Sequence, residues 1–177
     1  AVNLGVCTPT QTGSNFETLS VLGASNVLNT NIVPGQARKN CSATPGQVEV
    51  CNKKYGNNGW LGIAQVWVNG LHITQGLTKM NDTYFNTPRY NTTAWKNLVL
   101  CQEVGHTLGL DHQDEVFDNP NMGTCMDYTN NPETNQHPNA HDYEELETIY
   151  VHLDITTTLS QTSNQTVRQT VLDDLEN

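Results

Sequence analysis

The stretch that decides how this chain is read runs from Leu100 to Asp114, "LCQEVGHTLGLDHQD". It closes a longer segment, "NTTAWKNLVLCQEVGHTLGL", in which Thr92 or Thr93 can cap a helix and Trp95, Leu98, Val99, Val104 and Leu108 supply apolar faces. Gly109 ends it. On that helix positions 102 and 106 project from one face, one turn apart, which is how two side chains grip a single ion. Glu103 lies beside them, placed to reach a water on that ion. Gly109 lets the backbone turn sharply, so that His112 returns as a third ligand. Three protein ligands around zinc leave a fourth position for water, whose pKa the ion lowers towards neutrality.

The unusual member is Gln102. Counted from Cβ, its amide oxygen is as many bonds out as the Nε2 of a histidine, so it reaches the same coordination point. It is neutral, and the ion keeps its full charge. An amide oxygen is nevertheless a harder and weaker donor than imidazole. The expectation is looser metal binding with the chemistry retained.

With Gln102 standing where a histidine would be, the stretch resembles the metzincin zinc-protease signature HExxHxxGxxH. A second element supports the resemblance: "GTCMDYTN" puts Met126 14 residues after His112, matching the Met-turn beneath the zinc of those enzymes. Tyr128 matches the tyrosine that astacin-like and serralysin-like members use as an extra ligand or oxyanion stabiliser. Downstream, "PNAHDYEELETIY" is similar to the closing helix of matrixin domains. The likeness covers residues 59–153, and 1–58 only through the order of elements.

The resemblance implies an α+β fold: a twisted, mostly parallel sheet with an antiparallel edge strand, an active-site helix, the Met-turn and a C-terminal helix. The catalytic domain would span 1–153. Residues 154–177 form a Thr/Ser/Gln-rich tail or linker, in which Val167, Val171, Leu172 and Leu175 space a short amphipathic helix. "GWLGIAQVWV" would include the edge strand along which a peptide lies antiparallel. The implied activity is that of a zinc endopeptidase, with zinc on Gln102, His106 and His112. Glu103 acts as general base and then acid, Tyr128 stabilises the oxyanion, and Met126 is structural. The competing reading is a metzincin-fold binding or adhesion module without catalysis. Gln102 favours it and the retained Glu103 opposes it.

The bulk properties agree with a secreted protein. The chain has 177 residues, enough for one buried core, and a net charge of −10 that makes nucleic acid and anionic membranes poor partners. No apolar run approaches a membrane span. A secreted, already processed chain acting on protein or peptide is expected. There are five cysteines and no CxxC pair. Cys41 and Cys51 flank a Pro-Gly turn and read as a local disulfide, five reduced core thiols being the alternative. Cys7 is left over. Cys101 is about 100° round the helix from position 102 and so faces away from the ligand stripe. Because the Met-turn of the resembled family packs under this helix, a Cys101–Cys125 disulfide is preferred to a thiolate ligand at Cys101.

Two further features remain open. Asp111, Asp114, Glu115, Asp118, Asn119 and Asn121 follow the helix and offer oxygen ligands of the kind calcium takes, although they lack an EF-hand register. His72, His137, His141 and His152 have no ligand spacing. Nearer the N-terminus, residues 14–33 suggest a helix running into a strand.

Overall fold

The computed structural model describes residues 3–7, 41–151 and 166–171. The helix and strand expected within 14–33 lie outside them. The described residues form a mixed α+β structure on one sheet. Its strands are β1 (Asn3–Cys7), β2 (Gln47–Lys53), β3 (Gly62–Asn69), β4 (His72–Asn81) and β5 (Thr166–Val171). They lie in the order β1-β2-β4-β3-β5. Pairing is parallel between β1 and β2 and between β2 and β4, and antiparallel on both sides of β3. β3 therefore runs against the other four.

β3 and β4 form a hairpin whose ends, Asn69 and His72, pair across Gly70 and Leu71. Gly70 takes φ 59° there, a left-handed conformation that a side chain disfavours. The opposite end of β4 is organised by Asn81, which is fully buried. Its side-chain oxygen accepts from Tyr55 N and from Thr83 N, the latter capping the short helix α1 (Asp82–Phe85). Its amide nitrogen donates to the Gly56 carbonyl. One buried amide thus closes the 55–61 loop against the start of α1.

Helix α2 (Thr93–Thr107) is the element on which the site is built. Thr92 is the cap, accepting from Trp95 N at 3.2 Å. The helix ends in a Schellman arrangement, with Leu110 N donating to Gly105 O and Gly109 N to His106 O. Gly109 supplies the required positive φ of 100°. The alternation of the strands decides what α2 meets. Val48, Val50 and Met80 join Leu98, Val99 and Val104 in the main core. On the other sheet face, Cys51 and Leu77 pack with Cys41, Ala43 and Trp67. The Cys41–Cys51 disulfide, with Cα atoms 5.9 Å apart, belongs to that second face.

The sheet is lined with small residues where α2 crosses it. A Cβ added at Gly62 would sit 2.5 Å from Val99 and 2.6 Å from Glu103 Oε1. At Gly76 it would sit 3.1 Å from Thr107. Thr78, fully buried, donates to the Glu103 carbonyl at 3.3 Å. The helix lies close because these positions leave room for it.

Helix α3 (Ala140–Ile149) is capped by a reciprocal pair, Asn139 and Asp142. At its far end Tyr150 donates its hydroxyl to Leu108 O at 2.9 Å, which fastens α3 to the end of α2. The tail differs from expectation. Residues 166–171 form strand β5, in place of the helix suggested by the spacing of Val167, Val171, Leu172 and Leu175. Thr166, Val167, Thr170 and Val171 are β-branched and favour a strand, and β3 provides an edge to pair with. The same pairing means that β3 does not lie at the edge of the sheet, as the resemblance implied.

Gly105 offers a direct test of packing. In an exposed helix Gly→Ala gains about 1 kcal/mol. Here the new methyl would lie 2.6 Å from the Met126 sulfur, in a fully buried contact. Overpacking of this kind costs about 1–3 kcal/mol and outweighs the propensity gain. Gly105→Ala should therefore lower the urea midpoint of unfolding, and an increase would show that Met126 is not seated against this turn.

Candidate metal centre

Gln102 and His106 share one face of α2, and both are buried, at 2% and 5% exposure. Past the Schellman turn the chain reverses, and His112 comes back against His106. Their rings meet edge to face with centroids 4.5 Å apart, and the two Nε2 atoms are 2.9 Å apart.

The partners of the other ring nitrogens define the chemistry. His106 Nδ1 lies 2.9 Å from Leu110 O, and a carbonyl can only accept. His112 Nδ1 lies 3.2 Å from Glu115 Oε1, which when ionised also only accepts. Each Nδ1 therefore carries a proton as donor, and in the neutral rings each Nε2 presents a lone pair. Two lone pairs facing each other at 2.9 Å repel unless a cation or a proton lies between them. Metal-binding histidines are oriented in this way, with the second nitrogen donating to a carbonyl or carboxylate. Burial first, and the charge of His112 second, hold the His106 imidazolium down to about 4, so the ring is neutral and able to act as a ligand at physiological pH.

Gln102 lies one helical turn from His106; its buried Nε2 has no hydrogen-bond partner, and only its amide oxygen has the lone pairs a metal could take. Among the described residues no three His, Cys, Asp or Glu side chains converge as a metal site would require. The donor set is thus two imidazoles, completed only when the Gln102 amide counts as a ligand. Two nitrogens and one neutral oxygen suit zinc, more weakly than three imidazoles.

Glu103 is fully buried, with its carboxylate against Gly62 of β3. Tyr128 is half-buried beside His112, its ring 4.5 Å from the imidazole and stacked on Phe117 at 4.8 Å. Met126 is fully buried beneath Gly105, one residue before His106. Cys101 and Cys125 form a disulfide, with Cα atoms 5.8 Å apart. Cys101 is thus not a thiolate ligand. His72, His137 and His141 are exposed; His152 is outside the described residues.

The turn carrying Met126 and Tyr128 is held to the chain after His112 by backbone bonds. Gln113 N donates to Met126 O at 2.7 Å and Tyr128 N to Asp114 O at 3.0 Å. A buried carboxylate secures both segments from behind. Asp142 accepts from Gln113 Nε2 at 2.7 Å through one oxygen, and from Thr124 Oγ1 and Asn139 N through the other. Asp142 was not singled out from the sequence as a site residue. Its signal there is only the Asn139–Asp142 capping spacing, and its bonds to residues 18 and 29 positions away have no local trace.

The acidic loop is committed to its own framework. Asp111 accepts from His112 N, and Asp114 from Val116 N and Asn119 Nδ2. Asp118 accepts from Asn130, and Asn121 bonds Asn131 O, Thr134 and Thr129. Glu115 orients His112.

No family model, curated protein or solved structure matches the chain.

The depressed His106 pKa has a defined consequence for the metal-free protein. The folded value, about 4, lies below the 6.5 of the free side chain. Between these values the unfolded chain binds more protons, so stability is full above about pH 6.5 and is lost as pH falls towards 4. The loss should be on the order of 3 kcal/mol. His106→Gln should flatten that part of the profile, measured by urea unfolding in chelator. An unchanged slope would mean that another group governs it.

Proposed function

We propose that this chain is a secreted zinc-dependent endopeptidase of metzincin-like architecture, with Gln102, His106 and His112 as the metal ligands. The observation that carries the reading is the facing pair of Nε2 lone pairs, each fixed by an acceptor on the opposite ring nitrogen. Three others support it: the buried Glu103 one position from Gln102, Met126 beneath the helix, and Tyr128 against His112. The parallel pairing of β1, β2 and β4 with an antiparallel β3 beside β4 supports that architecture in part, although β5 covers the expected edge of β3. The two disulfides are compatible with an oxidising, extracellular setting. Among the described residues no helix is long and apolar enough to cross a membrane.

A zinc ion held there would polarise a peptide carbonyl and acidify water near neutral pH. The chain's own residues do the rest. Glu103 takes a proton from the attacking water and delivers it to the leaving amine. Its burial keeps bulk water from competing for that proton. The Tyr128 hydroxyl donates to the oxygen on which negative charge develops. Glu115 and the Leu110 carbonyl hold the two imidazoles in their ligand tautomers.

The binding-module reading is favoured by one observation, the absence of a third His, Cys, Asp or Glu at the centre among the described residues. Four proteins separate the two. The unmodified chain, incubated with excess zinc and desalted, should hold one zinc per chain by elemental analysis. Gln102→His should bind zinc about tenfold or more tightly and keep its activity, while Gln102→Ala should bind it more weakly by a similar factor. Glu103→Ala should bind zinc normally and lose at least about a hundredfold in kcat on peptide substrates. Zinc bound with no cleavage, and Glu103→Ala indistinguishable from the unmodified chain, would leave the binding module as the answer.

A further inference from the structure

β3 lies against the Glu103 carboxylate, because Gly62 at its start leaves the space that the carboxylate fills. One side of β3 is taken by β4. The other is taken by β5, in antiparallel register from Val68↔Thr166 to Ile63↔Val171. β5 therefore enters at the far end of β3 and runs towards Glu103, with Val171 one residue short of the level of Gly62. Its position in the sheet owes nothing to chain order. It is joined to Val151 through residues 152–165, and β4, not β5, is the sequence neighbour of β3.

An outer strand bound along one side supplies main-chain hydrogen bonds that any extended peptide could supply in its place. We propose that β5 is a built-in competitor: the chain's own tail occupies, by strand addition, the edge of β3 on which an extended peptide would lie beside Glu103, and must leave before a peptide can bind. The regulatory part rests on the peptidase reading above, while occupancy of the β3 edge does not. Tethering makes the tail hard to displace. A polar linker of this length gives an effective concentration in the mM range, so a free peptide of modest affinity competes poorly. The occupant that replaces the tail is an extended polypeptide running in the same direction as β5. It is recognised chiefly through its backbone, since the pairing is main chain to main chain.

The test uses the full chain. Gln169→Pro combined with Thr170→Pro removes two consecutive N–H groups, one of which must face β3 whichever way the alternation falls. A second chain has residues 166–171 replaced by alternating Gly and Ser, so that the length is kept should the first fold poorly. A dye-labelled synthetic peptide with the sequence of residues 165–172 is titrated into each protein in chelator, with fluorescence anisotropy as readout. Both altered chains should bind the peptide about tenfold more tightly than the unmodified chain. With zinc restored, both should cleave low concentrations of a peptide substrate faster, through a lower KM with kcat unchanged. Equal peptide affinity in all three proteins overturns the proposal. Tighter binding without hydrolysis in any of them leaves the occupied edge standing and removes the peptidase reading. Hydrolysis that is the same in all three, with equal affinity, leaves the peptidase and removes the tail as its competitor.

Discussion

The seating of the 124–128 turn against helix α2 is the contact on which the rest of the centre depends. Met126 reaches the helix backbone only because residue 105 has no side chain, and the Cys101–Cys125 bond fastens the same turn one helical turn earlier. Closing that loop removes about 3 kcal/mol worth of freedom from the unfolded chain in the entropic account. Because the turn is bonded through its backbone to Gln113 and Asp114, its position also fixes where the chain runs immediately after His112. Helix, turn and returning segment form one rigid wedge, and the two imidazoles meet at its tip.

Asp142 shows how a buried charge can serve that wedge. It is fully buried, and its carboxylate is satisfied by three donors: Gln113 Nε2, Thr124 Oγ1 and the Asn139 backbone N–H of the capping box. Removing one donor would leave a desolvated carboxylate partly unpaired, at about 1–3 kcal/mol or more. That makes the attachment of α3 to the site nearly all-or-none. Tyr150 adds a second attachment at the opposite end of α3, so the helix braces both the end of α2 and the turn beneath it.

Much of this was legible in the sequence, and the reason is local. Helix α2, a threonine cap at position 92 or 93, its end at Gly109 and the strands β3 and β4 follow from propensity and periodicity, which act over a few residues. The ligand spacing is equally local up to His112, since helix geometry and one glycine set it. What could not be read depends on distant partners. Asp142 looks like an ordinary acidic residue in a first turn, and the roles of Gly62 and Gly105 exist only once another element lies against them. The tail was misread for a related reason. Its apolar spacing fits a helix, and its β-branched residues become decisive only when β3 offers an edge.

The turn that ends α2 has a consequence beyond placing His112. The carbonyl that holds the His106 proton on Nδ1 belongs to Leu110, whose own N–H closes the Schellman arrangement on Gly105. One peptide segment therefore reverses the chain and selects the tautomer. When this last turn frays, the imidazole loses its acceptor, and the proton is released to exchange between the two nitrogens. The His106 ring is thus a resident gauge of local opening: its nitrogen resonances register whether a stretch of backbone four residues away is closed.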